Sequence, residues 1–259
     1  MKPLILISND DGVESRGLRV LADVAHEFAD VVVMAPERNA SAKGLSLTTT
    51  RPLRVRDVHQ SDGLSIHCCD GTPVDCVKLA VEYFCPRQPD LLLSGINHGS
   101  NSSINVIYSG TMGAAIEATA LGLSAIGFSI LSHKPDVDLE PAVPYVRHLI
   151  GRALDHGLPP MTALNVNIPH LPADRLRGIR LCHQARATWR NSFERRVDPQ
   201  GRPYWWLTGR FECDDTSDGC DERALSEGYV SVVPVQSDYT CYSLLPQLQH
   251  LGLDTPILP

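Results

Sequence analysis

Leu4-Ile5-Leu6-Ile7-Ser8 is an apolar run that stops abruptly at Asn9-Asp10-Asp11-Gly12. A short run of this kind, bounded by turn residues, predicts a strand buried on both faces, and such strands belong to parallel sheets. The pattern recurs along the chain. Val31-Val32-Val33-Met34-Ala35 stops at Pro36, Leu91-Leu92-Leu93 stops at Ser94-Gly95, and Ser124-Ala125-Ile126-Gly127-Phe128-Ser129 forms a further strand. Helical segments lie between them. Gly17 to Phe28 places Leu18, Leu21, Val24, Ala25 and Phe28 at helical spacing. Residues 72 to 85 open with Thr72 as N-cap and Pro73 at the first helical position, and Thr111 to Leu121 is a helix of small residues. This alternation predicts an α/β fold: a doubly wound, mainly parallel sheet with helices on both faces. Sheets of this class bind their ligands beyond the carboxyl ends of the strands.

The character changes near residue 180. All three tryptophans, Trp189, Trp205 and Trp206, fall between Ala187 and Phe211, with Phe193 and Tyr204, around the turn Asp198-Pro199-Gln200-Gly201. The segment predicts a projecting hairpin over 187–211 used in oligomerisation, because an isolated hairpin cannot bury that surface alone. Residues 229–259 return to strand (Val230 to Val235) and then to helix (Tyr242 to His250). Without repeats or low-complexity tracts, the whole chain, 1–259, reads as a single domain.

Composition narrows the function classes. A net charge of −7 argues against a nucleic-acid-binding surface, and no apolar stretch reaches membrane-spanning length. The start, Met1-Lys2-Pro3 leading into a strand, lacks a signal-peptide cleavage site. None of the eight cysteines stands in Cys-x-x-Cys spacing, and no histidine pair has zinc spacing. They read as reduced thiols of a cytoplasmic protein, with Cys213 and Cys220 the expected exposed pair.

Asp10 and Asp11 are adjacent carboxylates that repel unless a cation compensates them. A hard divalent ion such as Mg²⁺ does so and keeps coordination sites for a phosphate substrate. The same Asp-Asp-Gly is also an ordinary turn and helix-entry sequence. Three other segments carry small polar groups at element ends: Pro36-Glu37-Arg38-Asn39-Ala40-Ser41, Ser94-Gly95-Ile96-Asn97-His98-Gly99-Ser100-Asn101, and Tyr108-Ser109-Gly110-Thr111. The first two follow predicted parallel strands and so share one sheet edge with Asp10 and Asp11. The last opens a helix, whose N–H groups and dipole suit a phosphate. Read individually, Ser41 is a loop serine, Asn97 and Asn101 are turn formers, and His98 is either a solvated loop histidine or an acid.

These segments, with Gly71-Thr72-Pro73-Val74-Asp75, Leu164-Asn165-Val166-Asn167-Ile168-Pro169 and Gly228-Tyr229-Val230-Ser231-Val232, resemble the SurE family of metal-dependent acid phosphatases and nucleotidases, in order and over nearly the whole chain. The resemblance implies a Rossmann-like three-layer fold and one divalent metal, Mg²⁺ or Mn²⁺, per subunit, held by Asp10, Asp11, Ser41 and Asn97. It implies hydrolysis of nucleoside 5′-monophosphates, with 3′-monophosphates and short polyphosphate as further substrates, in a homodimer or homotetramer. Asp10 and Asp11 are then the catalytic pair, and Asn97, Asn101, Ser109, Gly110 and Thr111 the phosphate contacts. Two departures stand out: Ala42 follows Ser41 where the family has glycine, and Val233 precedes Pro234 where threonine is usual.

Three rivals are weaker. A phosphoacceptor receiver module also opens on an acidic pair, but its acceptor aspartate would fall at Gly95. A haloacid-dehalogenase-type phosphatase needs Asp-x-Asp, and Asn9 stands where its nucleophile belongs. A dinucleotide site needs a Gly-x-Gly-x-x-Gly after the first strand, which is absent.

Overall fold

A computed structural model describes residues 2–252. The strands β1 (Leu4–Ser8), β2 (Asp30–Pro36), β3 (Val55–Ser61), β4 (Leu64–Cys69), β5 (Leu91–His98), β6 (Ala125–Ile130), β7 (Thr162–Ile168) and β8 (Ile179–Leu181) join a single sheet. Two strands, β9 (Ala187–Val197) and β10 (Pro203–Cys213), pair only with each other, and β11 (Val230–Gln236) returns to the main sheet. The helices are α1 (Arg16–His26), α2 (Pro73–Leu79), α3 (Gly110–Ala120), α4 (Val143–His156), α5 (Asp221–Ser226) and α6 (Leu245–Leu248).

The order across the sheet is β3-β4-β2-β1-β5-β6-β7-β11-β8. From β4 to β7 every neighbouring pair is parallel, while β3 and β11 run antiparallel to β4 and β7. The chain builds outward from β1 through β2 to β4, then crosses back and builds the other way from β5 through β6 to β7. The direction of winding therefore reverses between β1 and β5, the position where open α/β sheets leave a crevice for ligand.

Burial on both faces explains the apolar runs. Ile5 and Ile7 of β1 pack with Leu21 of α1 and Ile150 of α4, while Leu4 and Leu6 pack with Val77 of α2 and Met112 of α3. Two cores thus lie on opposite faces of one sheet, the three-layer arrangement. Thr72 caps α2 with the expected Pro73 next to it, and its capping box uses Asp75. The α-helix stops at Leu79, and Ala80–Phe84 continues as one π-helical turn before Pro86, so the helix expected to residue 85 changes its winding.

Several elements exceed the sequence expectation. β3 is an exposed edge strand of mostly polar residues, which carries no apolar run. β4, β7 and β8 extend the sheet, and α4 covers it through Val146, Leu149, Ile150 and Ala153. The hairpin forms as expected, pairing Ala187 with Cys213 through to Val197 with Pro203, and Asp198 accepts hydrogen bonds from Gln200 N and Arg202 N at its turn. The helix expected from Tyr242 to His250 is one α-helical turn flanked by 3-10 turns. Residues 253–259 of the expected C-terminal extension lie outside the described residues. The cysteine expectation needs correction: Cys220 is fully buried at the entry of α5, Cys213 is partly buried, and Cys241 is the exposed one.

Gly17 lets α1 approach β5. A Cβ there would sit 2.1 Å from the Ile96 carbonyl oxygen, against backbone that cannot rotate away. Gly17→Ala is expected to destabilise the fold by about 2 kcal/mol or more, as for other overpacked cores. A lower urea midpoint with an unchanged slope checks this. An unshifted midpoint would mean that α1 can lift off the sheet freely.

Candidate functional site

The loop after β1 is organised by Asn9. Its amide nitrogen donates to Gly12 O (3.0 Å) and to Ser15 Oγ (2.7 Å), and its oxygen accepts from Gly12 N (3.2 Å). Gly12 has φ +103°, a conformation that favours glycine. Asn9 thereby ties the acidic pair to the N-cap of α1.

Asp10 is 3% exposed, and its Oδ1 accepts the Thr111 hydroxyl at 2.6 Å. Burial pushes its carboxyl above the usual aspartate range; the Thr111 hydrogen bond opposes this and the Asp11 charge reinforces it. Asp11 points to β5: its Oδ2 lies 3.1 Å from His98 Nδ1 and accepts the His98 backbone N–H at 3.3 Å. Nε2 of His98 is buried without a partner.

β5 and β6 pair through Ser94 and Gly127, then lose register before Asn97 and Ser129, leaving one extra residue in β5. Beyond this bulge Asn97 lies beside the Asp10 loop. Its amide nitrogen donates to Gly99 O at 2.8 Å, and among the described residues its Oδ1 has no partner, so the oxygen remains available to a ligand. Gly95 has φ +127°, and a Cβ there would meet Phe128 O at 2.3 Å. No carboxylate can stand at this position, which removes the receiver-module rival.

The loop after β2 docks on the same place: Ala40 N donates to Asp10 O at 2.7 Å. Ser41 is exposed, its N–H held by Asn39 Oδ1 at 2.9 Å. Ala42 takes φ +60°, a left-handed conformation costing a non-glycine residue about 1–2 kcal/mol. The glycine that the resemblance leads one to expect here would take this conformation without that cost.

Asp10, Ser41, Asn97 and Ser109 line one cavity of about 560 Å³. The phosphate segment divides into unlike parts. Ser109 caps α3 by accepting from Met112 N at 3.0 Å and reaches the cavity. Gly110 provides clearance, since a Cβ would lie 2.8 Å from Asp10 Cβ. Thr111 is fully buried, and its hydroxyl is committed to Asp10 instead of facing the opening. Asn101 also lines the cavity but is braced: its Nδ2 donates to Ser129 Oγ, its N–H to Asn167 Oδ1 and its carbonyl accepts from Asn165 Nδ2, each at 2.8 Å. The two asparagines of the Leu164–Pro169 motif thus hold the loop after β5.

Several cavity residues lie outside the sequence motifs, among them Trp189 and Phe211 at the base of the hairpin, His133 after β6, and Glu222 of α5. Glu222 accepts a short hydrogen bond from Ser102 Oγ, and burial raises its carboxyl pKa. Among the described residues neither lysine nor arginine lines this cavity, although two carboxylates do. Those two are Asp10 and Glu222; Asp11 faces His98 and does not line the cavity. With Asp11 beside it in the chain, the Asp10 carboxylate, the open Asn97 amide oxygen and the Ser41 hydroxyl are hard oxygen donors of the kind that fit a divalent cation such as Mg²⁺ or Mn²⁺. No cluster of three or more His, Cys, Asp or Glu groups that could hold a metal ion occurs among the described residues, so amide and hydroxyl oxygens would have to complete the donor set.

The chain is similar over nearly its whole length to known proteins. Residues 5–191 match the family model described as survival protein SurE. A protein of Christiangramia forsetii named 5′-nucleotidase SurE is 47% identical over 255 residues, covering 98% of both chains. A protein of the same name from Flavobacterium johnsoniae is 48% identical over 254 residues, again covering 98% of both. The crystal structure of the SurE protein from Aquifex aeolicus superposes with a TM-score of 0.83 at 35% identity, covering 96% of this chain and all of that one.

Because burial raises the Asp10 pKa, the folded chain holds that proton more tightly than the unfolded chain. The residue therefore favours folding below the ordinary aspartate range and opposes it as pH rises through the folded value. Asp10→Asn carries no charge at any pH. In excess chelator it is expected to raise the thermal midpoint at pH 7, with the gain shrinking as pH falls toward about 4. A lower midpoint at pH 7 would show that the Thr111 hydrogen bond outweighs burial.

Proposed function

The chain belongs to the SurE family, and on that premise we propose that it is a cation-dependent phosphomonoesterase that hydrolyses nucleoside 5′-monophosphates. The observation that carries this reading is the acidic cavity at the sheet's reversal point, where Asp10, Ser41, Asn97 and Ser109 converge without lysine or arginine. A phosphate dianion cannot enter such a cavity unless a cation accompanies it. When bound by Asp10, Asp11, Ser41 and Asn97, a divalent ion would supply positive charge to the phosphoryl oxygens and acidify water beside them.

The chain's own groups do the rest. His98 holds one oxygen of Asp11, and Thr111 holds one oxygen of Asp10, so both carboxylates are oriented before substrate arrives. The free oxygens of the pair orient the attacking water or take its proton. Ser109, at the positive end of α3, contacts the non-bridging oxygens, and braced Asn101 closes the cavity floor. Asn9 is consumed by Gly12 and Ser15, which supports attack by water over an aspartyl intermediate. The family resemblance extends the substrates to 3′-monophosphates and short polyphosphate.

The reading includes an assembly. Across the hairpin Phe193 pairs with Leu207 and Arg195 with Trp205, so Phe193, Leu207 and Trp205 share one face. These three are 65%, 65% and 56% exposed. Such a face supports a homodimer or homotetramer built from single-domain subunits. All eight cysteines are free thiols, which supports a reducing, cytoplasmic setting, and no helix among the described residues is long and apolar enough to cross a membrane.

Phosphate release from AMP is expected to vanish in excess chelator and to return with Mg²⁺ or Mn²⁺. In the same assay Asp11→Asn is expected to lose at least about a hundredfold, as for removal of one strong electrostatic element. Full activity in chelator, or an active Asp11→Asn enzyme, would overturn the mechanism.

The assembly has its own check. The double variant Phe193→Ser, Trp205→Ser is expected to shift light-scattering mass downward from the wild type, with hydrolysis of AMP retained. A wild-type protein that is monomeric at micromolar concentration would refute the hairpin's role.

A further inference from the structure

The cavity has a second wall that the phosphate chemistry leaves unused. Trp189 near the start of β9 pairs across the hairpin with Phe211 of β10, their rings edge to face with centroids 5.6 Å apart. The indole is also anchored to the body of the molecule. Its Nε1–H donates to Asn105 Oδ1 at 2.7 Å, in the 3-10 turn Ser103–Ile107 that leads to Ser109. Trp189 is nonetheless 40% exposed, and it lines the same cavity as Asp10 and Asn97. A large aromatic side chain held by a hydrogen bond and left open to a cavity is a preformed surface for a planar ligand group, because no rotamer freedom is lost when the ligand arrives. The wall beside it is polar, with Glu222 and Ser102, which suits a heteroaromatic ring bearing N–H groups and not an acyl chain.

We propose that Trp189, backed by Phe211, is the platform on which the substrate's nucleobase stacks while its phosphate lies at Asp10, Asn97 and Ser109. The proposal rests on the reading of the substrate as a nucleoside monophosphate, and it deepens that reading by assigning the base-binding element. A cavity of about 560 Å³ falls within the usual range for a small-molecule site. Stacking uses the π-face that every base has, so the platform accepts all bases and favours purines by their larger ring area. Trp189 and Phe211 thereby part from the remaining aromatic residues of the hairpin, which lie farther along the strands and do not line the cavity.

The test compares wild type, Trp189→Ala, Trp189→Leu and Trp189→Phe on AMP, CMP and ribose 5-phosphate, which carries the phosphate without a base. Trp189→Ala and Trp189→Leu are expected to raise KM for AMP about tenfold, the scale of one lost base stack. Their kcat/KM for ribose 5-phosphate is expected to stay within about twofold of wild type, and Trp189→Phe to recover most of the loss. Adenosine, the base without the phosphate, is expected to inhibit wild type and to inhibit Trp189→Leu far less. Trp189→Leu keeps apolar bulk, so the comparison survives if Trp189→Ala fails to fold. Equal losses on AMP and ribose 5-phosphate would make Trp189 a scaffold residue and overturn the proposal, as would no loss on either. A wild type that hydrolyses ribose 5-phosphate but no nucleotide would overturn the nucleotidase reading itself, and the platform with it.

Discussion

Asp10 is a carboxylate held almost out of water at the point where the sheet reverses its winding, and its neighbour in the chain is a second carboxylate. The surrounding structure answers that burden. Thr111 brings a donor from α3, Gly110 opens the space for the carboxylate beneath the helix, and Asn9 clamps the loop so that Asp11 turns toward His98. These contacts offset part of the desolvation, and the carboxyl of Asp10 still stands above its ordinary range. What remains uncompensated is negative charge facing a cavity, the condition that recruits a cation.

A second buried carboxylate shows why burial alone does not make a site. Asp221 is fully buried, yet its oxygens accept three backbone N–H groups, from Ser103, Ala185 and Glu222. It stitches α5 and the base of the hairpin to the turn before α3. Asp10 also has donors, the Thr111 hydroxyl and backbone N–H groups, yet burial still raises its carboxyl, and it lines a cavity open to solvent and ligand. The difference between the structural and the functional carboxylate lies in where each one faces: Asp221 is sealed among the segments it joins, whereas Asp10 lines a cavity.

Much of this was legible in the sequence because the central strands are buried on both faces. β1, β2, β5 and β6 read as apolar runs ending at polar residues, and those ends are the site. The edge was not legible: β3 offers Arg56, Asp57 and His59 to solvent, and a strand held mainly by its neighbour's backbone leaves no apolar signature. Site residues contributed from a distance were hidden for a different reason. Ser102 and Glu222 are 120 positions apart, and no periodicity reports a pairing of that range. Asn165 and Asn167 stood out as a motif, but their task of bracing the loop at Asn101 exists only in three dimensions. The aromatic hairpin was read as one apolar surface, and the register does put Trp189, Phe211, Phe193, Leu207 and Trp205 on one face, but position along the strands divides that face between a cavity wall at its base and an exposed stretch beyond.

The alternation of β1 has one more consequence. Even-numbered Leu4 and Leu6 face α2 and α3, odd-numbered Ile5 and Ile7 face α1 and α4, and the parity carries past the strand's end. Asn9, odd, meets Ser15 at the entry of α1, and Asp10, even, meets Thr111 of α3. Two chemically identical side chains in consecutive positions are thereby made unlike: one is sealed under a helix and the other is handed to a histidine. Their division of labour is a matter of counting, so a single residue inserted into Leu4–Ser8 would exchange the two faces of the strand and, with them, the places of the two aspartates.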